Sequence, residues 1–243
     1  INFARLNESF SEAKLSYAAP ANHLDAIDKL NLTKSQRELL AEVTDPVLYQ
    51  VVRDFCVNSQ FRAEYWVKGP RKLSAIERRS ALEKIRIILI HDSKDVSLQT
   101  RGDLGEAKLS ETISGPILNY LADHKPRYIL EIEEELKGTG IDLSMILQTV
   151  MVLIGKRSLG LAQEKEEILK AKGKSDLTNK YLMEHAYGSK NIGYLVSPVT
   201  GGGIPCSRIE KLFIAAKQSG MNKPRDLAEF AWAILSSQNE SLL

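Results

Sequence analysis

Cysteine is nearly absent: Cys56 and Cys206 are too few and too far apart in 243 residues to suggest a disulfide framework or a zinc site. A surplus of charge is missing too. The 33 basic residues stand against 31 acidic ones, and a net +2 gives no global field to draw nucleic acid or anionic lipid. Long hydrophobic runs are lacking. Ile85–Ile90, interrupted by Arg86, and Met145–Ile154 are too short for a bilayer, which asks for about 20 apolar residues. The first twenty residues are polar and amphipathic, with neither the apolar segment nor the cleavage pattern of a signal peptide. No internal repeat or low-complexity tract stands out. These absences point to a folded chain in a reducing cytoplasm, with no membrane partner.

What is present is ordinary in bulk. A content of 43% hydrophobic and 26% charged residues suits a globular protein, and the length fits two modest cores slightly better than one large one. A first residue of Ile rather than Met raises the expectation of a piece of a longer chain.

Local signals mark most elements. Phe3, Leu6, Phe10 and Ala13 fall at helical spacing, and Leu15-Ser16-Tyr17-Ala18 then reads as extended. A short helix is expected over 23–30. Thr33 with Gln36, and Ser74 with Glu77, have capping-box spacing, and Asp45-Pro46 reads as an N-cap followed by Pro at the first helical position. Leu48, Val51, Val52 and Phe55 line one face of the helix that Pro46 begins. Ile85–Ile90, a turn at His91-Asp92-Ser93-Lys94 and Val96–Thr100 suggest a hairpin, extended by Glu106–Leu109. A domain boundary is expected near Ser110, where the pattern turns helical. Three helices then come over about 116–123, 127–137 and 142–154, with a wing at Ser158–Leu161. Residues 163–174 read as a charged connector, a solvated helix or linker, and 177–187 as a helix. A strand at 192–197, a glycine-rich bend and helices from Ser207 and Pro224 complete the chain.

Several motifs invite a functional reading and lose it on inspection. A winged helix that reads DNA needs basic or amide side chains on its third helix. Here that helix has no basic residue before Lys156, and the helix before it carries Glu131, Glu133, Glu134 and Glu135, which would repel phosphate. Protein packing is the better use of the segment, with no nucleic acid partner. Gly201-Gly202-Gly203 lacks the Gly-Lys-Ser/Thr that closes a phosphate loop, and Pro205 removes an amide, so a turn or bend is expected. His23, His91, His124 and His185 lie in different elements without metal-ligand spacing. The cluster Lys68, Arg71, Lys72, Arg78, Arg79, Lys84 and Arg86 either docks an acidic partner or ion-pairs with the acidic helix downstream.

The stretch Asp54–Gly69 is the densest in information. A helix runs into Asn58, and an extended aromatic run comes next, with Arg62, Glu64 and Lys68 among its rings. Either Phe61 and Tyr65 or their neighbours of the other parity pack inward. Without a nucleophile, a base or a cofactor loop beside it, the stretch reads as a structural hinge-point first. Asn58, Arg62, Tyr65, Trp66, Lys68 and Arg71 are the candidate contact surface; no catalytic, cofactor-binding or metal residue is assigned.

Leu32-Thr33…Gln36-Arg37…Leu39-Leu40, Asp45-Pro46 and Asp54-Phe55…Asn58…Gln60-Phe61-Arg62 together resemble the regulatory domain of bacterial S-adenosylmethionine-dependent methyltransferases, including protein lysine methyltransferases. The opening Phe3…Ala13-Lys14-Leu15-Ser16-Tyr17-Ala18 is similar to the start of that domain, and Leu195–Ile204 resembles the carboxy-terminal region of the same enzymes. The resemblance covers most of the chain; the order of the motifs carries it.

Added to the element order, which itself reads as winged-helix-like after Ser110, the resemblance implies an α+β fold, mainly helical, with a helical/β regulatory domain over 1–110 and a winged-helix-like domain over 111–243. It also implies a catalytic domain that this sequence lacks, since no strand–glycine loop–helix for S-adenosylmethionine occurs; that domain is expected before Ile1. Gly102-Asp103-Leu104-Gly105 has the glycines but no clear helix after it. The expected partners are the catalytic domain of the same polypeptide and a protein substrate, and a homo-oligomer is compatible. The competing functions are a winged-helix transcription regulator and a small-molecule enzyme with an unrecognised pocket.

Overall fold

The computed structural model describes residues 2–238. They form eleven α-helices and nine short strands, an α+β architecture that is mainly helical, and no sheet among the described residues exceeds three strands. Two compact units divide the chain, one ending at Leu161 and one beginning at Ala162.

The first unit opens with α1 (Phe3–Glu12), started by Asn2, whose side chain accepts the Arg5 N–H at 3.0 Å. It continues through β1 (Leu15–Pro20), a 3₁₀ turn (His23–Ala26), α2 (Asp28–Asn31), α3 (Lys34–Glu42), α4 (Pro46–Cys56), β2 (Glu64–Lys68) and α5 (Ala75–Leu82). The helix starts agree with the sequence signals: both capping boxes form, at Thr33/Gln36 and Ser74/Glu77, and Asp45 caps α4 with Pro46 at its first turn. Strands β1 and β2 pair antiparallel, Tyr17 facing Trp66, and the register slips by one between Tyr17 and Ala19. This is a β-bulge.

The rest of the unit is β3 (Arg86–Leu89), β4 (Gln99–Gly102), β5 (Gly105–Lys108), α6 (Glu111–Tyr120), β6 (Arg127–Tyr128), α7 (Ile129–Glu135), α8 (Leu143–Gly155) and β7 (Leu159–Ala162). The hairpin expected between 85–90 and 96–100 is replaced by two separate pairings. Strand β3 lies between β6 and β7, and β4 turns back on β5 instead. The reason is burial: Ile87 and Leu89 are almost wholly enclosed, and the faces of α6, α7 and α8 cover them. Helix α6 starts five residues before the expected Pro116, which sits inside it and forgoes one backbone hydrogen bond.

One core spans the expected boundary at Ser110. Ile87, Leu89 and Val96 from before it pack with Ile117, Leu121, Ile129, Ile132, Ile146, Val150, Leu153 and Leu159 from after it. Burying such side chains stabilises by about 1.5–3 kcal/mol each, so residues on either side of 110 are bound into one body. The division at Leu161/Ala162 therefore differs from the one drawn from the sequence pattern.

The second unit holds α9 (Lys165–Ala186), β8 (Tyr194–Ser197), β9 (Gly202–Pro205), α10 (Arg208–Gln218) and α11 (Pro224–Ser236). The expected connector and helix are one continuous helix, α9. The Asn179 side chain on α9 clamps β8, donating to Val196 O at 2.8 Å and accepting its N–H at 2.7 Å. Leu212, Ala231 and Leu235 form the small core between α10 and α11. Residues 198–201 close the β8–β9 hairpin with Gly201 at φ +71°, a turn as expected, and Gly202 and Gly203 begin β9.

Candidate functional site

Helix α4 ends at a Schellman motif. The Ser59 N–H reaches Asp54 O at 2.9 Å and the Asn58 N–H reaches Phe55 O at 3.4 Å, with Asn58 itself at φ +50°. Asn tolerates this left-handed conformation better than other non-glycine residues, which is why the chain can leave the helix here and head into β2. The exit angle sets which side of β2 faces inward. It aims Arg62, Glu64 and Trp66 at the rest of the unit and leaves Phe61 and Tyr65 94% and 60% exposed.

Arg62 is the hub. Its guanidinium pairs with the carboxylates of Asp54 and Glu64, donates to Gln50 Oε1 at 2.8 Å, and lies 4.5 Å from the Phe3 ring centroid and 5.7 Å from that of Tyr17. Glu64 takes a further hydrogen bond from Trp66 Nε1 at 3.1 Å. The Trp66 ring stacks on Phe3 at 5.6 Å and meets Phe10 and Tyr17 edge-on at 4.8 and 5.8 Å. Charged hub and aromatic cluster are thus one assembly, drawn from α1, β1, α4 and β2.

A cleft of about 240 Å³ opens beside this hub, lined by Tyr17, Asp25, Arg53, Asn58, Arg62 and Asp103 among others. Arg53 donates to Asp25 O and pairs with Asp28 at 3.4 Å. Asp103 is brought in from the β4–β5 turn, whose backbone is held by Asn31 Oδ1 at 3.1 Å and Leu30 O at 3.2 Å. Burial, then the neighbouring Asp103 carboxylate, raises the Asp25 carboxyl above its ordinary value, against Arg53 and the Asn22 amide. Burial likewise raises the Tyr17 phenol. The cleft's two arginines are engaged by the protein's own acceptors. What it offers is binding and shape; no nucleophile is paired with a base there.

Of the six residues singled out from sequence, Asn58 and Arg62 meet at the cleft and Trp66 joins the aromatic cluster behind it. Tyr65 lies on the outer side of β2, Lys68 is exposed at the strand's end with the parity of Trp66, and Arg71 is separately paired with Glu77 at 2.6 Å. The basic cluster does not form one patch, since Arg79 pairs with Glu133 on α7 at 2.9 Å and Arg86 lies over the Tyr128 ring. Tyr17, Asp25, Arg53 and Asp103 are cleft residues that no local signal names; they meet because α2 packs against the β4–β5 turn. Among the histidines, His124, at φ +54°, bonds Leu89 O through Nδ1 at 2.9 Å.

Residues 1–68, which contain the whole hub, match the family model described as a predicted methyltransferase regulatory domain. Over 244 aligned residues the chain is 31% identical to the uncharacterized protein sll1526 of Synechocystis sp., covering 99% of this chain and 47% of that protein. In fold it is similar to PKMT2 from Rickettsia typhi, with 16% identity, a TM-score of 0.52, and coverage of 100% of this chain and 51% of that one. A second PKMT2 structure, in complex with AdoHcy, gives 17% identity and a TM-score of 0.53 over 99% and 50% of the two chains. The chain spans about half the length of each of these relatives.

Of the glycines beside strands, Gly102 and Gly201 offer no cradle for S-adenosylmethionine, the cofactor implied by the resemblance. A side-chain carbon on Gly102 would lie 2.5 Å from Leu30 O, and one on Gly201 2.6 Å from Gln163 Nε2. These glycines make room for the protein's own chain.

Proposed function

We propose that this chain is the non-catalytic regulatory and substrate-positioning portion of a S-adenosylmethionine-dependent methyltransferase that acts on protein in the cytoplasm. Its partner is a catalytic domain of the same polypeptide. The observation that carries the reading is the regulatory-domain match over residues 1–68, the stretch that builds the Arg62 hub and most of the cleft beside it. Relatives about twice as long, one of them solved with AdoHcy, support a further domain in the parent protein. In this reading the Asn58–Arg62 wall of the cleft, the outer side of β2 with Tyr65, and the exposed Lys68 at the strand's end form the surface that shapes the catalytic mouth.

Residues 111–162 serve as a winged-helix-like packing module. The order α6, β6, α7, α8, β7 supports this, with β3 supplying the middle strand from upstream. Packing on protein is favoured over DNA because α8 lies against the chain's own 3₁₀ turn. The approach is close enough that a side-chain carbon on Gly155 would sit 2.7 Å from Leu24 Cγ.

Calorimetric titration of S-adenosylmethionine tests the proposal. This chain alone should give no binding heat, and the natural protein that carries it should bind. Micromolar affinity in the isolated chain would sink the non-catalytic reading.

A further inference from the structure

Helix α4 is amphipathic, yet none of its residues is buried. Leu48, Phe55 and, just past the helix, Phe61 are 51%, 83% and 94% exposed. Phe55 and Phe61 flank a groove of about 490 Å³, which Phe3, Leu6 and Val51 also line. Phenylalanines this open to water are costly for a folded surface, and an apolar patch of this kind marks a place where another protein surface belongs.

We infer that the outer face of α4, with the 58–61 loop, is the seat of the methyltransferase domain, an inference that rests on the functional reading above. Three observations select this occupant. The match to a methyltransferase regulatory domain covers residues 1–68, and every residue of the groove lies within them. The relatives are about twice as long as this chain, which leaves a domain-sized body to be accommodated. The groove is also electrically neutral, because its two charged residues, Asp54 and Arg62, pair with each other. A neutral apolar face suits a folded domain better than nucleic acid or a strongly charged peptide. At roughly 150–250 Å² per aromatic side chain, Phe55 and Phe61 alone offer on the order of 350 Å², a large part of the ~800 Å² that one partner contributes to a stable interface.

Hydroxyl-radical footprinting read by mass spectrometry tests this, comparing the 243-residue chain with the natural protein that carries it. Oxidation of Phe55 and Phe61 should be fast in the chain and at least about five-fold slower in the natural protein, which should also bind S-adenosylmethionine. Equal oxidation in both, with cofactor binding intact, overturns the docking surface and leaves the functional reading standing. Failure of the natural protein to bind the cofactor removes that reading, and this inference with it. Protection that grows with concentration in the chain alone assigns the face to a second copy and overturns the inference. As a further arm, Phe55→Ser with Phe61→Ser should leave the Tm of the chain within about two degrees, since both side chains are exposed. In the natural protein the same pair should lower the Tm and expose the domain junction to protease.

Discussion

Replacing Arg62 by Met removes a cation while keeping most of its aliphatic stem over Phe3. The side chains of Arg62, Asp54 and Glu64 are 17%, 21% and 5% exposed, so the network stands closer to a buried ion cluster than to a surface pair. Taking one partner from a buried cluster costs about 3–5 kcal/mol, whereas an exposed pair contributes ~0–1 kcal/mol. Two features put this site at the lower end. Glu64 keeps the Trp66 Nε1–H at 3.1 Å, and Asp54 keeps about a fifth of its surface in water. The expected loss is about 3 kcal/mol, or roughly 6–12 °C in Tm for a unit of this size. Urea unfolding followed by Trp66 fluorescence measures it, in a Trp232→Phe background because the chain has two tryptophans. Adding Glu64→Gln should return part of the loss, with a coupling of about 1–3 kcal/mol, because the uncompensated carboxylate is then gone. A loss under about 1 kcal/mol with no coupling would refute the hub as the organiser of this region and leave the aromatic packing to carry it.

Three further outcomes are expected from particular contacts. Asn58→Gly should leave stability unchanged or slightly raised, while Asn58→Val should cost about 1–2 kcal/mol in urea unfolding, because φ +50° is hostile to a β-branched residue. Gly102→Ala should cost about 1–3 kcal/mol and speed exchange of the Asp103 amide, since the added carbon meets backbone at Leu30 and Asn31 Oδ1 at 2.7 Å. Asp25→Asn should raise the Tm at pH 7 and lose that advantage near pH 3. A carboxyl raised in the folded state adds stability only when protonated, fully present below its unfolded value and lost as pH rises through the folded one. Thermal melts of both proteins at the two pH values give the sign directly.

What was legible in the sequence is what is decided within four or five residues. Asp45-Pro46, Asp142 and the two capping boxes mark the starts of α4, α8, α3 and α5, because each satisfies amides in its own first turn. What was not legible is decided by distant partners. Strand β3 carries the β-branched run that reads as half of a hairpin, yet Arg86 and Ile87 pair with Tyr128 and Arg127, about forty residues away. The same non-local core joins both sides of Ser110, where the change of pattern is a change of element type within one body. The cleft was hidden for the same reason. Asp103 reaches Asp25 because Gly102 lets the β4–β5 turn sit against Leu30, a contact between segments about seventy residues apart.

The parity of β2 shows how such a choice is made. From sequence, Phe61 and Tyr65 are as good a buried pair as Glu64 and Trp66, and hydrophobicity alone favours the first. The structure takes the second because the covering surface is α1, which presents Phe3 and Phe10, and because β1 presents Tyr17 opposite Trp66. An indole with an N–H suits a cavity that also holds Glu64, and Glu64 is tolerable there because Arg62 comes with it two residues earlier. The inward face is therefore a self-satisfying set of ring, carboxylate and guanidinium at alternate positions. The outward face is the remainder, with the exposed rings of Phe61 and Tyr65. Inverting the parity would bury those rings against α1 but strand Arg62 and Glu64 outside their aromatic box. Against that alternative, the exposure of Phe61 is the direct consequence of satisfying Arg62, and the apolar face left open is the one the functional reading needs covered.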